Sequence, residues 1–135
     1  MSLIDSLQKN LPDFPKHLGI AFVEASTDRV VATMIVREDL CTETKSIHGG
    51  AIMAFADTLG AVATIINIPR ENWTTTIESK TNFFAAIPLG DTARAECTPL
   101  HRGRTTMVWQ TKITRGDGKL AALVMQTQLV IAARG

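Results

Sequence analysis

Between Ala51 and Ile68 the chain reads AIMAFADTLGAVATIINI, a nearly unbroken apolar stretch whose one formal charge is Asp57. A segment of this kind needs cover on most of its sides. Its length approaches that of a membrane span. The central carboxylate, Asn67 near the end and the lack of any comparable stretch elsewhere favour a helix wrapped by its own protein. His48-Gly49-Gly50 leads into it. Two glycines ahead of a helix leave backbone N–H groups bare and approachable. A carboxylate in apolar surroundings is unfavourable unless it is paired, hydrogen-bonded or used. Together these features suggest a site where the helix start polarises a group and the carboxylate acts on it.

The flanking sequence supplies the wrapping. Residues 2–9 place Leu3, Ile4 and Leu7 on one side of a short amphipathic helix, which Pro12 and Pro15 should end. From Leu18 the pattern turns strand-like through Ile20, Phe22 and Val23, and Val30 to Val36 follows after a turn near Asp28. Arg37 to Ile47 is a polar loop. The long helix is expected from about Gly49 to Ile66, with Asn67 and Pro69 as stop signals. Strands are then expected over residues 74–86, 92–100, 105–114 and 120–132, separated by Pro88-Leu89-Gly90-Asp91, a turn at Gly103 and the hairpin Arg115-Gly116-Asp117-Gly118-Lys119. This is an α+β pattern: a long central helix wrapped by a curved antiparallel β-sheet, its four C-terminal strands favouring a meander.

A chain of 135 residues reads as a single domain spanning 1–135, with residues 1–16 an N-terminal helix or extension. A net charge of +1 argues against a nucleic-acid partner. No membrane partner is expected, and the N-terminus lacks the pattern of a signal peptide. Cys41 and Cys97 lack metal-type spacing and read as reduced thiols of a cytoplasmic protein. Three histidines and two scattered cysteines make no metal site, and no cofactor is expected. G-x-S-x-G, P-loop, G-x-G-x-x-G and H-E-x-x-H patterns are all missing, which removes support for serine-hydrolase, nucleotide and zincin chemistry.

Asp57 is the candidate general base or nucleophile; its plain alternative is a carboxylate that pins a neighbouring loop. His48 is favoured as a positioning residue. Gly49 and Gly50 would let a carbonyl oxygen approach the helix start, where the dipole favours developing negative charge. Gly49 and Asp57 are eight residues apart, hence about 12 Å along the axis and about 80° in direction. One helix can hardly aim both at a single reacting bond. If both are catalytic, the simplest arrangement takes Gly49 from one chain and Asp57 from an antiparallel second copy, in a symmetric dimer with two shared sites. Among Thr74, Thr75 and Thr76, one hydroxyl can orient a water beside Asp57. His101, Arg102 and Arg104 around Gly103 form either a solvated tip or a phosphate contact. Arg115-Gly116-Asp117 is read as turn chemistry.

His48-Gly49-Gly50 followed by Ala51–Ala56 and Asp57-Thr58 resembles the central motif of hotdog-fold acyl-CoA thioesterases, nearest to the phenylacetic-acid-degradation type. Further matches are the strand Thr76–Phe83, Pro88-Leu89-Gly90-Asp91, Arg102-Gly103-Arg104 and Gly116-Asp117-Gly118-Lys119, so the resemblance covers about residues 18–132. It implies dimers joined into homotetramers and hydrolysis of an acyl-CoA at the dimer interface. Gly49 N–H would polarise the thioester carbonyl, Asp57 would activate water or attack directly, and Thr76 would help place the water. It further implies Gly50 near the substrate and Arg102 and Arg104 near the coenzyme A phosphates. Phe83, Met53 and Phe55 are candidate pocket residues. The sequence departs from the family where it usually has Asn or Gln, here Thr42, and often Gly, here Lys45. Thr42 would then be the weaker second donor to the substrate carbonyl. Two competing readings are a hotdog hydratase or dehydratase and a non-catalytic acyl-CoA or small-ligand binding module.

Overall fold

The computed structural model describes residues 1–133. In chain order the elements are α1 (Leu3–Lys9), α2 (Asp13–Leu18), β1 (Ala21–Ala25), β2 (Val30–Ile35), a 3-10 turn (Glu38–Leu40), α3 (Gly49–Asn67), β3 (Trp73–Phe83), β4 (Thr92–Arg102), β5 (Thr106–Thr114) and β6 (Leu120–Ile131). The α+β expectation holds: six strands form one curved antiparallel sheet around α3. By length and composition alone α3 could cross a membrane. In the fold its residues Ile52, Phe55, Ala56, Leu59, Gly60, Ala63 and Thr64 are buried. These lie at the three- and four-residue spacing of one helical stripe. They meet Trp109, Ile113, Met34, Val30 and Val124 from the sheet in one core. Burying each large apolar side chain contributes roughly 1.5–3 kcal/mol.

Two expectations need correction. Pro12 and Pro15 do not simply end a helix, because α2 begins at Asp13 and contains Pro15. Proline there occupies the first turn, where its missing N–H has no intrahelical partner to lose. Gly19, at φ 77°, then stops α2 in the left-handed conformation. The residues before β1 are also docked on the sheet. Gln8 donates through Nε2 to the Ile20 carbonyl (2.8 Å) and accepts the Phe22 N–H (2.9 Å), so its side chain pairs with the strand as a neighbouring backbone would.

The second correction is topological. The strand order is β1-β2-β4-β5-β6-β3, so only β4, β5 and β6 form the expected meander. β3 pairs with β6 at the sheet edge and not with β4. β2 already occupies the free side of β4. The connection from β3 to β4 runs back past the start of α3, where Ile47 N–H donates to the Ile87 carbonyl (2.9 Å) and Ser46 bridges Pro88. Such a segment spans a distance that a hairpin turn cannot.

Candidate active site

The helix start is built by its own sequence. The His48 ring caps α3, its Nδ1 accepting the Gly50 N–H at 2.8 Å, while the His48 carbonyl accepts from Ala51 (2.9 Å) and Ile52 (3.3 Å). A ring nitrogen that accepts carries no proton, so the neutral ring here has its proton on Nε2. The Gly50 amide is thereby taken. The Gly49 N–H, by contrast, has no acceptor among the described residues. It lies at the positive end of the helix dipole and on the wall of a cavity of about 430 Å³, with Thr42, Ser46, Ile47 and Phe83. The Phe83 ring rests against Gly49: a Cβ there would come within 3.1 Å of Phe83 Cζ.

Thr42 sits in the same cavity, as the sequence implied, but its hydroxyl is engaged inside its own turn. Thr42 Oγ1 lies 2.9 Å from Thr44 Oγ1 and 3.3 Å from the Ser46 carbonyl. Lys45 adopts φ 61°, the left-handed conformation that glycine takes without steric cost. The turn therefore keeps the backbone of a glycine although the residue is lysine.

Asp57 lies two turns along α3 and is half-buried. Its Oδ1 accepts the Thr76 hydroxyl at 2.5 Å, so the fold brings Asp57 and this β3 threonine together. Asp57 lines a second, largely apolar cavity of about 550 Å³ with Leu7, Leu11, Val62, Ile65 and Trp73. The cavities at Gly49 and Asp57 share no lining residue. Within one chain, then, the amide and the carboxylate face different spaces, as the helix geometry required.

A β-bulge aims Thr76. Thr76 stands opposite Gln128 and Glu78 opposite Thr127, which leaves Ile77 as an extra residue on β3. Without that insertion, strict alternation from Thr74 and Thr76 would turn Glu78 and Lys80 toward the helix. With it, Thr74, Thr76, Ser79 and Thr81 take the more buried positions and Glu78 and Lys80 stay exposed.

Two buried residues of this neighbourhood escaped the sequence reading, Gln126 and Gln128, each at most 1% exposed. They occupy inward positions of β6 in register with Ala122 and Val124. Their only sequence signal is polarity at period-two positions that are otherwise apolar. Phe55, considered for the pocket, is instead fully buried in the core. Met53 and Phe83 are exposed. Arg102 and Arg104 are not brought to Gly49 or Asp57. Arg102 donates to the Thr27 carbonyl and to Asp28 Oδ1, both at 2.9 Å. The same Thr27 carbonyl accepts from Asn67, the last residue of α3, so Arg102 sits at the far end of the helix, about 27 Å along the axis from Gly49. Arg104 is exposed. Among the described residues no group of three or more His, Cys, Asp or Glu side chains is gathered to hold a metal.

The model of the thioesterase superfamily matches residues 44–122, from the turn before His48 into β6. The chain belongs to the thioesterase superfamily. The proofreading thioesterase EntH of Cronobacter sakazakii is 31% identical over 104 residues, covering 77% of this chain and 75% of that protein. A crystallised thioesterase of Haemophilus influenzae superposes with a TM-score of 0.93 at 25% identity, over 100% of this chain and 94% of its own. The PaaI protein of the Escherichia coli phenylacetic acid degradation operon superposes with a TM-score of 0.86 at 25% identity, over 96% and 91%. The fold is thus the hotdog, the resemblance to the phenylacetic-acid-degradation branch holds, and thioester hydrolysis is the general chemistry of this thioesterase.

Proposed function

We propose that this thioesterase hydrolyses acyl-CoA thioesters at two equivalent sites, each formed between two copies of the chain. The observation that carries this reading is the Gly49 N–H at the start of α3, unpaired among the described residues, on a helix whose Asp57 faces a different cavity. In an antiparallel pair, Gly49 of one protomer polarises the thioester carbonyl oxygen, and Asp57 of the other, hydrogen-bonded to Thr76, delivers water or attacks the carbonyl carbon. His48 holds the amide in place through its cap on Gly50. Gly50 and Thr42 border the substrate, Phe83 covers the thioester, and Arg102 and Arg104 reach the coenzyme A phosphates beyond the protomer's own Gly49. The open edge of β3 and the exposed Trp73 and Ile77 on it support the dimer, and a dimer of dimers makes the tetramer. The free thiols support a reducing, cytoplasmic setting.

A single oxyanion donor is worth about a hundred- to a thousandfold in rate, and a positioned base about as much. Asp57→Asn keeps an oxygen for Thr76 to donate to, so it should fold normally and lose at least about a hundredfold in thiol release from acyl-CoA. The check is a thiol-trapping assay over short, medium, long and aromatic acyl groups. A fully active Asp57→Asn protein refutes the assignment. One observation favours a binding module instead: the Thr42 hydroxyl is engaged within its turn, which weakens the second donor to the carbonyl. Tight acyl-CoA binding with no free thiol would select that reading.

A further inference from the structure

The two buried glutamines form a hydrogen-bonded chain that ends on Asp57. Gln126 Nε2 donates to the Ala56 carbonyl of α3 (2.8 Å), Gln128 Nε2 donates to Gln126 Oε1 (2.6 Å) and to Thr76 Oγ1 (2.6 Å), and Thr76 donates to Asp57 Oδ1. Thr74 Oγ1 lies 2.8 Å from Gln128 Oε1, to which its hydroxyl can donate. The direction of every link follows from one end. The Ala56 carbonyl can only accept, so Gln126 must present its amide nitrogen there and its oxygen to Gln128. Gln128 must then present nitrogen to Gln126, and its second N–H meets Thr76. Thr76, already an acceptor, has Asp57 left for its own proton. Gly60 makes room for this arrangement, because a Cβ on it would overlap the Gln126 carboxamide.

We propose that Gln126 and Gln128 are positioning residues that fix the Thr76 hydroxyl as an obligate donor to Asp57, with α3 itself setting the direction. The proposal rests on the hydrolase reading above for its kinetic consequence. Two isosteric variants on the same buried face of β6 separate direction from mere packing. Gln126→Glu needs one proton, given to the Ala56 carbonyl, and still accepts from Gln128. Gln128→Glu carries one proton at most where two acceptors need one each, and ionised it takes the Thr76 proton for itself.

The acid limb of kcat against pH should therefore move up by about one unit in Gln128→Glu and stay in place in Gln126→Glu, with kcat at neutral pH down about tenfold in the first only. A second readout needs no substrate: the slowly exchanging Thr76 hydroxyl proton in the NMR spectrum persists in Gln126→Glu and disappears in Gln128→Glu. If Gln128→Glu does not fold, Gln128→Met removes the donor without offering Thr76 another acceptor. The Thr76 hydroxyl, no longer held by Gln128, should then lose its slowly exchanging signal, and a signal that persists overturns the proposal. Equal behaviour of the two Glu variants, or a wild-type protein without the Thr76 signal, overturns the proposal. A wild-type protein that releases no thiol yet shows the signal, with the two variants split as described, overturns hydrolysis and supports the chain.

Discussion

Cys97 shows how burial alone sets the chemistry of one side chain. It stands in the core, fully buried, and desolvation pushes its thiol up from the ordinary 9.0 to about 12. The thiolate is the reactive form, so Cys97 should resist alkylation in the native protein while the more accessible Cys41 reacts. The same shift has a stability consequence. Between pH 9 and about 12 the unfolded thiol has lost its proton and the folded one has not. Stability from this group is therefore fully present below pH 9 and falls as pH rises toward 12, by at most about 1.4 kcal/mol per pH unit. Denaturant midpoints followed upward from pH 8 should fall more steeply in the native sequence than in Cys97→Ala. Parallel curves would contradict the assignment. At this scale Asp57 was legible, because a charge in an apolar run stands out in one dimension. The threonines at the start of β3 were legible only as a group, from which the family resemblance picked Thr76. Gln126 and Gln128 were not, because a glutamine on a strand reads the same whether it faces water or the core.

At the scale of elements, α3 carries a glycine that helix propensity alone disfavours. Gly60 costs about 1 kcal/mol relative to alanine in an exposed helix, so Gly60→Ala would ordinarily stabilise. Here a Cβ would fall on the Gln126 carboxamide. Gly60→Ala should therefore destabilise by about 1–3 kcal/mol through overpacking and lower activity as the Gln126 link breaks. Thermal unfolding and thiol release measured on one preparation check both, and a stabilised, fully active variant would show that the carboxamide yields freely. Helix and strand positions were well marked by apolar spacing, with α3 extending one residue past the expected end at Ile66. The Ile77 bulge was not marked. Residues 74 to 81 alternate poorly in hydrophobicity, and only pairing with β6 shows which of them turn inward.

The whole molecule, as a single chain, leaves one side unfinished. β3 pairs on one edge only, Trp73 and Ile77 on it are 70% and 56% exposed, and Met53 and Ile65 of α3 are exposed as well. An open apolar edge of this kind invites pairing with another strand. Light scattering should accordingly give a mass of two or four times the 14.7 kDa chain. Ile77→Lys should lower that mass and remove activity together, because each proposed site needs two chains. An active monomer would sink the shared site. The sequence by itself determined the α+β class, the central helix and the separation of Gly49 from Asp57, since each follows from local spacing and helix geometry, whereas the His48 cap that takes the Gly50 amide came from the structure. Only the tertiary structure decided that β3 crosses to the far edge of the sheet and that two glutamines back the Asp57–Thr76 pair. Those outcomes depend on which strands pair and which faces are buried, and contacts between residues far apart in the chain leave no local pattern to read.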